Sequence, residues 1–177
     1  MKTLVLGLGN SMLTDDAVGF AVVEEVRKRL DSADVSVSTA SVGGLSLLEL
    51  MVGYDSVIIV DAIRTGRREP GAIRRLSPDM FHGSVRAAST HDISLATALE
   101  LGDQLGMDIP KQIVILGIEA ADVDTFGVQL TPAVARAVPG AVDWVLKELA
   151  TQGDGSSAPG RIENGPSPSE PAIALAD

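Results

Sequence analysis

The side chains able to do chemistry are few. The 177 residues hold no cysteine and only two histidines, His82 and His91, against 24 Asp and Glu. Thiol nucleophiles, zinc fingers and iron–sulfur clusters are excluded together, and any imidazole chemistry must use one of two positions. His82 lies in the polar turn Phe81-His82-Gly83-Ser84 and reads as a surface residue. The set that could do work is Asp16, Asp61 and His91, which come from three separate elements expected to converge at one sheet edge. Two carboxylates and an imidazole form a ligand set suited to a divalent transition metal, with positions left open for water or substrate. Taken singly each acid has a plainer use, Asp16 as a helix cap and Asp61 as a turn residue. Asp15, Asp92 and Glu119 are candidates to orient a ligand or act as general base.

Other catalytic signatures fail. Gly7 and Gly9 follow a strand-like run, but the third glycine of a dinucleotide motif would fall at Met12, and two acids open the next helix where they would repel a pyrophosphate. No P-loop GK[ST] occurs, and the nearest match to a serine elbow, Gly44-Leu45-Ser46-Leu47-Leu48, lacks its second glycine.

The elements that must position these residues alternate along the chain. Strand patterns occupy residues 2–8, 35–41, 56–61, 71–76 and 112–119; the run at 56–61 is the most apolar and is expected at the centre. Val18, Val22, Val26 and Leu30 mark an amphipathic helix over residues 16–30, and Gly43-Gly44 opens a short one through Leu45, Leu48 and Met51. Ser89 or Thr90 is expected to cap a helix over residues 91–105 that Gly106 closes. Thr131-Pro132 opens a last helix, expected to break or bend at Pro139-Gly140 before Leu149. This order predicts an α/β fold, a three-layer α/β/α sandwich. Its twisted, mostly parallel five-stranded sheet has room for one antiparallel strand at residues 71–76. In such sheets ligands bind beyond the carboxyl ends of the strands, where Asp16 and Asp61 would stand.

Residues 1–150 are expected to form a single domain. Residues 151–177 hold four Gly, four Pro and four Ser in 27 positions with no aromatic residue, and are expected to be a disordered tail. A short partner motif around Ile173 is the alternative. The net charge of −10 divides into −3 for that tail and −7 for the body, and argues against nucleic acid. No apolar run approaches the roughly 20 residues that span a bilayer, and no signal peptide is recognisable, so a cytoplasmic protein without membrane contact is expected. Arg64, Arg67, Arg68, Arg74 and Arg75 run against the acidity; they read as a solvated loop and protected edge strand, or as a docking patch.

Several of these residues together resemble the hydrogenase maturation endopeptidases. Gly7-Leu8-Gly9-Asn10 followed by Asp15-Asp16-x-x-Gly19 is similar to that family's GxGN…D(D/E)GxG signature. Gly43-Gly44, Leu47-Leu48-Glu49, Val60-Asp61-Ala62, Pro70-Gly71, Ser89-Thr90-His91-Asp92, Gly117-Ile118-Glu119 and Leu130-Thr131-Pro132 continue the resemblance in order. Ala17 departs from it, standing where the family has glycine, and Asp16 stands where many members have glutamate. The resemblance implies an endopeptidase that removes the C-terminal peptide of a nickel–iron hydrogenase large-subunit precursor after nickel insertion. It places both catalysis and nickel contact on Asp16, Asp61 and His91. The nickel would be carried by the substrate, either as a recognition handle or to polarise the scissile carbonyl. The partner is then the precursor, with the chain itself acting as a monomer. A non-catalytic metal-sensing maturation chaperone and a metal-dependent hydrolase of small substrates remain as alternatives.

Overall fold

A computed structural model describes residues 1–81 and 93–153. Five strands, β1 (Thr3–Leu8), β2 (Val35–Ala40), β3 (Ser56–Ile63), β4 (Ile73–Leu76) and β5 (Gln112–Glu119), form one sheet in the order β2-β1-β3-β5-β4. The first three neighbouring pairs in that order are parallel, and β4 alone runs antiparallel, along β5. The β-branched run of β3 is buried throughout and lies at the centre, as its composition requires. β2, an outer strand, alternates partly buried and exposed positions instead.

Helices α1 (Val18–Arg29) and α4 (Pro132–Gly153) cover one face; α2 (Gly44–Met51) and α3 (Leu95–Gln104) cover the other. Alternation along β3 divides the core between them. Ile58, Val60 and Ala62 pack with Val22 and Val26 of α1 and Val142 and Val145 of α4. Val57, Ile59 and Ile63 pack with Leu47 and Met51 of α2 and Leu95 of α3. The three-layer α/β/α architecture with a mixed five-stranded sheet is the one the alternating pattern predicts.

Beyond shifts of one or two residues at strand and helix ends, four features differ from those read in the sequence. Asp61 does not end its strand: β5 offers partners as far as Glu119, so β3 continues in register to Ile63. Asp16 lies not in the long helix but in a single 3₁₀ turn, Asp15–Ala17, that precedes α1. α3 starts at Leu95 because Ser94, in extended conformation, accepts a hydrogen bond from the Thr97 amide and so caps the helix itself. α4 passes through Pro139 without a break and ends at Gly153, so residues 151–153 belong to it rather than to a tail. Pro139 is exposed, so the carbonyl it leaves unbonded meets water, while the stripe of Val134, Ala141, Val142 and Val145 on either side holds both halves to the core. Residues 154–177, the rest of the expected tail, lie outside the described residues. None of the described helices is long and apolar enough to cross a membrane.

Candidate active site

The order of the strands creates the crevice. The chain leaves β1 for β2 on one side, then returns across it to β3 on the other, so the direction of winding reverses between β1 and β3. Ligands of open α/β sheets bind beyond the strand ends at such a reversal. Three glycines bring the Asp15–Ala17 turn down onto that point. A Cβ on Gly9, which sits at φ +139°, would lie 1.8 Å from the Asp16 carbonyl oxygen. One on Gly19 would lie 2.3 Å from the Leu8 carbonyl and 2.5 Å from that of Val60, and one on Gly7 would lie 2.5 Å from the carbonyl of Gly19. Any side chain there would lift α1 off β1 and β3. The glycines thus serve backbone packing rather than a phosphate.

The result is a pair of buried carboxylates. Asp16, from the turn, is 1% exposed, and Asp61, from β3, is wholly buried on the face it shares with Ile59 and Ile63. Neither oxygen of Asp61 meets a well-formed hydrogen-bond partner among the described residues. Burial pushes its carboxyl well above the usual carboxylate range, the negative charge of Asp16 pushes it further, and the Ala62 backbone amide offsets only part of this. A carboxyl in this position holds its proton at pH values where an exposed aspartate has lost it. It can trade that proton for a cation, or pass it as an acid–base group. The donor set fits a divalent cation, since two carboxylates stand close together and neither oxygen of Asp61 meets a well-formed partner among the described residues.

Among the described residues no group of three His, Cys, Asp or Glu side chains is gathered to hold a metal ion. The third member read from the sequence, His91, lies outside the described residues, as do His82, Asp92 and the Ser89 and Thr90 that accompany them. What is described is the approach to it: α3 begins four residues after His91, and its Leu95 belongs to the same cluster as Ile59 and Ile63.

Asp15 and Glu119 prove to be of another kind. Asp15 accepts from the amides of Ala121 at 2.9 Å, Asp122 at 3.0 Å and Thr131 at 2.7 Å, and from the Thr131 hydroxyl at 3.0 Å. Glu119 accepts from the amides of Thr65 at 2.7 Å and Gly66 at 2.8 Å, and from the Thr65 hydroxyl at 2.8 Å. Both are buried, and every carboxylate oxygen of both already accepts from donors of the fold, which gives each a structural use. They are clamps: Asp15 ties the turn carrying Asp16 to the segment between β5 and α4, and Glu119 ties down the turn that leaves β3. Thr131 and Thr65 were not legible as their partners, although Thr131-Pro132 does mark the start of α4.

A family model described as hydrogenase maturation protease matches residues 20–148. The chain is 32% identical over 158 residues to the hydrogenase 2 maturation protease of Escherichia coli, covering 86% of this chain and 93% of that one. The chain belongs to the hydrogenase maturation protease family. The structure of the hydrogenase maturating endopeptidase HybD from E. coli superposes with a TM-score of 0.74 at 31% identity, covering 86% of this chain and 94% of that one. A [NiFe] hydrogenase maturation protease, HycI from Thermococcus kodakarensis, shares the fold with a TM-score of 0.64 at 23% identity, over 84% of this chain and 92% of that one. The protein is thus a maturation endopeptidase, a hydrolase of peptide bonds, on a mixed five-stranded α/β scaffold. The matched span includes β3 with Asp61 and the His91 position, and begins just after Asp16.

Proposed function

We propose that this maturation protease removes the C-terminal peptide of a nickel–iron hydrogenase large-subunit precursor once nickel is in place, and that Asp16, Asp61 and His91 contact that nickel and carry the cleavage. The metal comes as part of the substrate. The observation that supports this is Asp61: a wholly buried carboxyl beside a second acid, with no well-formed hydrogen bond to either oxygen among the described residues. The fold supplies Asp15 with four hydrogen-bond donors and gives neither oxygen of Asp61 a well-formed one among the described residues, which supports reading Asp61 as the group held for a ligand.

The physical logic is conditional binding. A nickel-loaded precursor brings a positive charge to Asp61, which gives up its proton to solvent to become a ligand, and the peptide attached to the metal is brought into the site. A nickel-free precursor brings no such charge, so burying it against two carboxylates gains nothing. Cleavage then follows metal insertion without a separate sensor. An imidazole at His91 would complete two carboxylates to the mixed nitrogen–oxygen set such a metal accepts. The enzyme in this reading is cytoplasmic and works as a monomer.

Purified protein mixed with nickel-loaded and nickel-free precursor provides the test. Intact mass should show loss of the C-terminal peptide from the loaded precursor alone. Cleavage of both forms would overturn the nickel requirement, and tight binding without mass loss would make the protein a metal-sensing chaperone.

A further inference from the structure

One stretch of the surface runs against the charge of the whole. The chain carries −10, yet five of its 14 Lys and Arg fall between Arg64 and Arg75 with a single acid, Glu69, among them. The structure sorts these five into separate uses. Arg75 pairs with Glu148 of α4 at 3.2 Å, and Arg64 pairs with Asp124 at 2.6 Å. Arg74 stands on β4, an edge strand, where a cation discourages pairing with another sheet. Arg67 and Arg68 are left. They are exposed, they lie on no strand, and they have no ion-pair partner among the described residues, so neither edge protection nor stability accounts for them.

The turn that carries them is held firmly and in a telling place. It leaves β3 directly after Ile63, at the carboxyl edge of the sheet where Asp61 sits two residues earlier. Glu119, itself 1% exposed, binds the amides of Thr65 and Gly66, and the Thr65 hydroxyl in turn accepts from the Arg67 amide at 3.2 Å. Gly66 adopts φ +65° to make the bend, and the Gly71 amide bonds the Glu119 carbonyl at 2.7 Å, closing the loop at its far end. A buried carboxylate is thus committed to fixing a turn whose outward content is two unpaired guanidinium groups.

We infer that Arg67 and Arg68 form a docking element for a carboxylate-bearing segment of the precursor polypeptide, beside the site that cuts it. The inference rests on the proposed function, which supplies a protein substrate. Charge complementarity argues for the occupant: on a chain whose net charge repels acidic partners, a local cationic pair makes one orientation of an acidic segment favourable and leaves the rest unfavourable. Guanidinium forks suit carboxylates, which they can bind through two parallel hydrogen bonds.

The test is equilibrium binding of nickel-loaded precursor to the full-length protein at low and high salt, for wild type, Arg67→Glu/Arg68→Glu and Arg67→Lys/Arg68→Lys. Charge reversal should raise Kd about tenfold at low salt, shrinking to less than about twofold near 0.5 M salt, where charges more than a few ångströms apart are screened. The lysine pair should keep Kd within about threefold of wild type, since the charge is retained and only the fork is lost. Equal Kd for wild type and the reversed pair at low salt, or no binding of precursor by wild type, would overturn the inference. Failure of the proposed function looks different: salt-sensitive binding that depends on the arginines, with no cleavage of the bound precursor.

Discussion

Among the described residues four carboxylates are buried at the carboxyl edge of this sheet, and the fold treats Asp15 and Glu119 quite differently from Asp61. Asp15 and Glu119 are surrounded by amides and hydroxyls turned toward them, four donors on one and three on the other. Asp61, near the carboxyl end of β3, shares a face with Ile59 and Ile63 and has Asp16 as its charged companion. All three are carboxylic acids and burial is equally deep. What differs is whether the backbone has been arranged to neutralise the charge. Where it has, the acid is mortar. Where it has not, the acid costs stability, and the proposed function gives that cost a use.

Breaking the satisfied class should produce the largest effect on folding. Asp15→Ala leaves three backbone amides and a hydroxyl without their acceptor and cuts the tie between the Asp16 turn and α4. It should lower unfolding free energy by at least about 3 kcal/mol, read by urea denaturation. A change close to zero would mean that those contacts hold nothing together. Gly19→Ala should come next, at about 2–3 kcal/mol, because its methyl group would meet the Leu8 and Val60 carbonyls at 2.3 and 2.5 Å. It should also cost activity, since it lifts the turn that places Asp16.

Asp61 should make the stability of the fold depend on pH. The Asp61 carboxyl binds its proton more tightly folded than unfolded, so between the ordinary carboxylate range and its own raised value the native state holds the extra proton. Stability contributed by this group is therefore present at low pH and lost as pH rises through that window. Asp16→Asn removes the second-largest cause of the shift, and should make that decline shallower and move it to lower pH. This effect is the smallest of the set, and a pH series of thermal melts of the two proteins would reveal it; identical curves would mean that Asp16 exerts no charge on Asp61.

Much of this was legible in the sequence, and the parts that were not share a cause. Periodicity placed all five strands, the central position of β3 and the antiparallel β4, because each signal is local. Gly7, Gly9 and Gly19 stood out in the sequence only as parts of motifs, and it is the structure that reveals their close approach to the Gly19, Asp16, Leu8 and Val60 carbonyls. α3 starts at Leu95 rather than at His91, because Ser94 caps it by accepting from the Thr97 amide, while the expected caps Ser89 and Thr90 lie outside the described residues. Pro139 looked like a break, since a linear pattern does not show that its ring faces water while the core grips both sides. The roles of Asp15 and Glu119 were hidden for a simpler reason. The donors to Asp15 come from 106 to 116 residues away, and the amides on Glu119 from 53 and 54, so no window of sequence contains both ends.

The central claim is that Asp61 is kept unsatisfied for the substrate's metal, and Asp61→Asn tests it most directly with two readings on one protein. Asparagine keeps the shape and removes the buried charge. The variant should be more stable than wild type at pH 7, by roughly 1–3 kcal/mol, with the gain vanishing below the ordinary carboxylate range. It should also fail to cleave nickel-loaded precursor, its rate falling by at least about a thousandfold as a ligand and titratable group is lost. A variant that is less stable than wild type, or one that still removes the C-terminal peptide, would contradict the account.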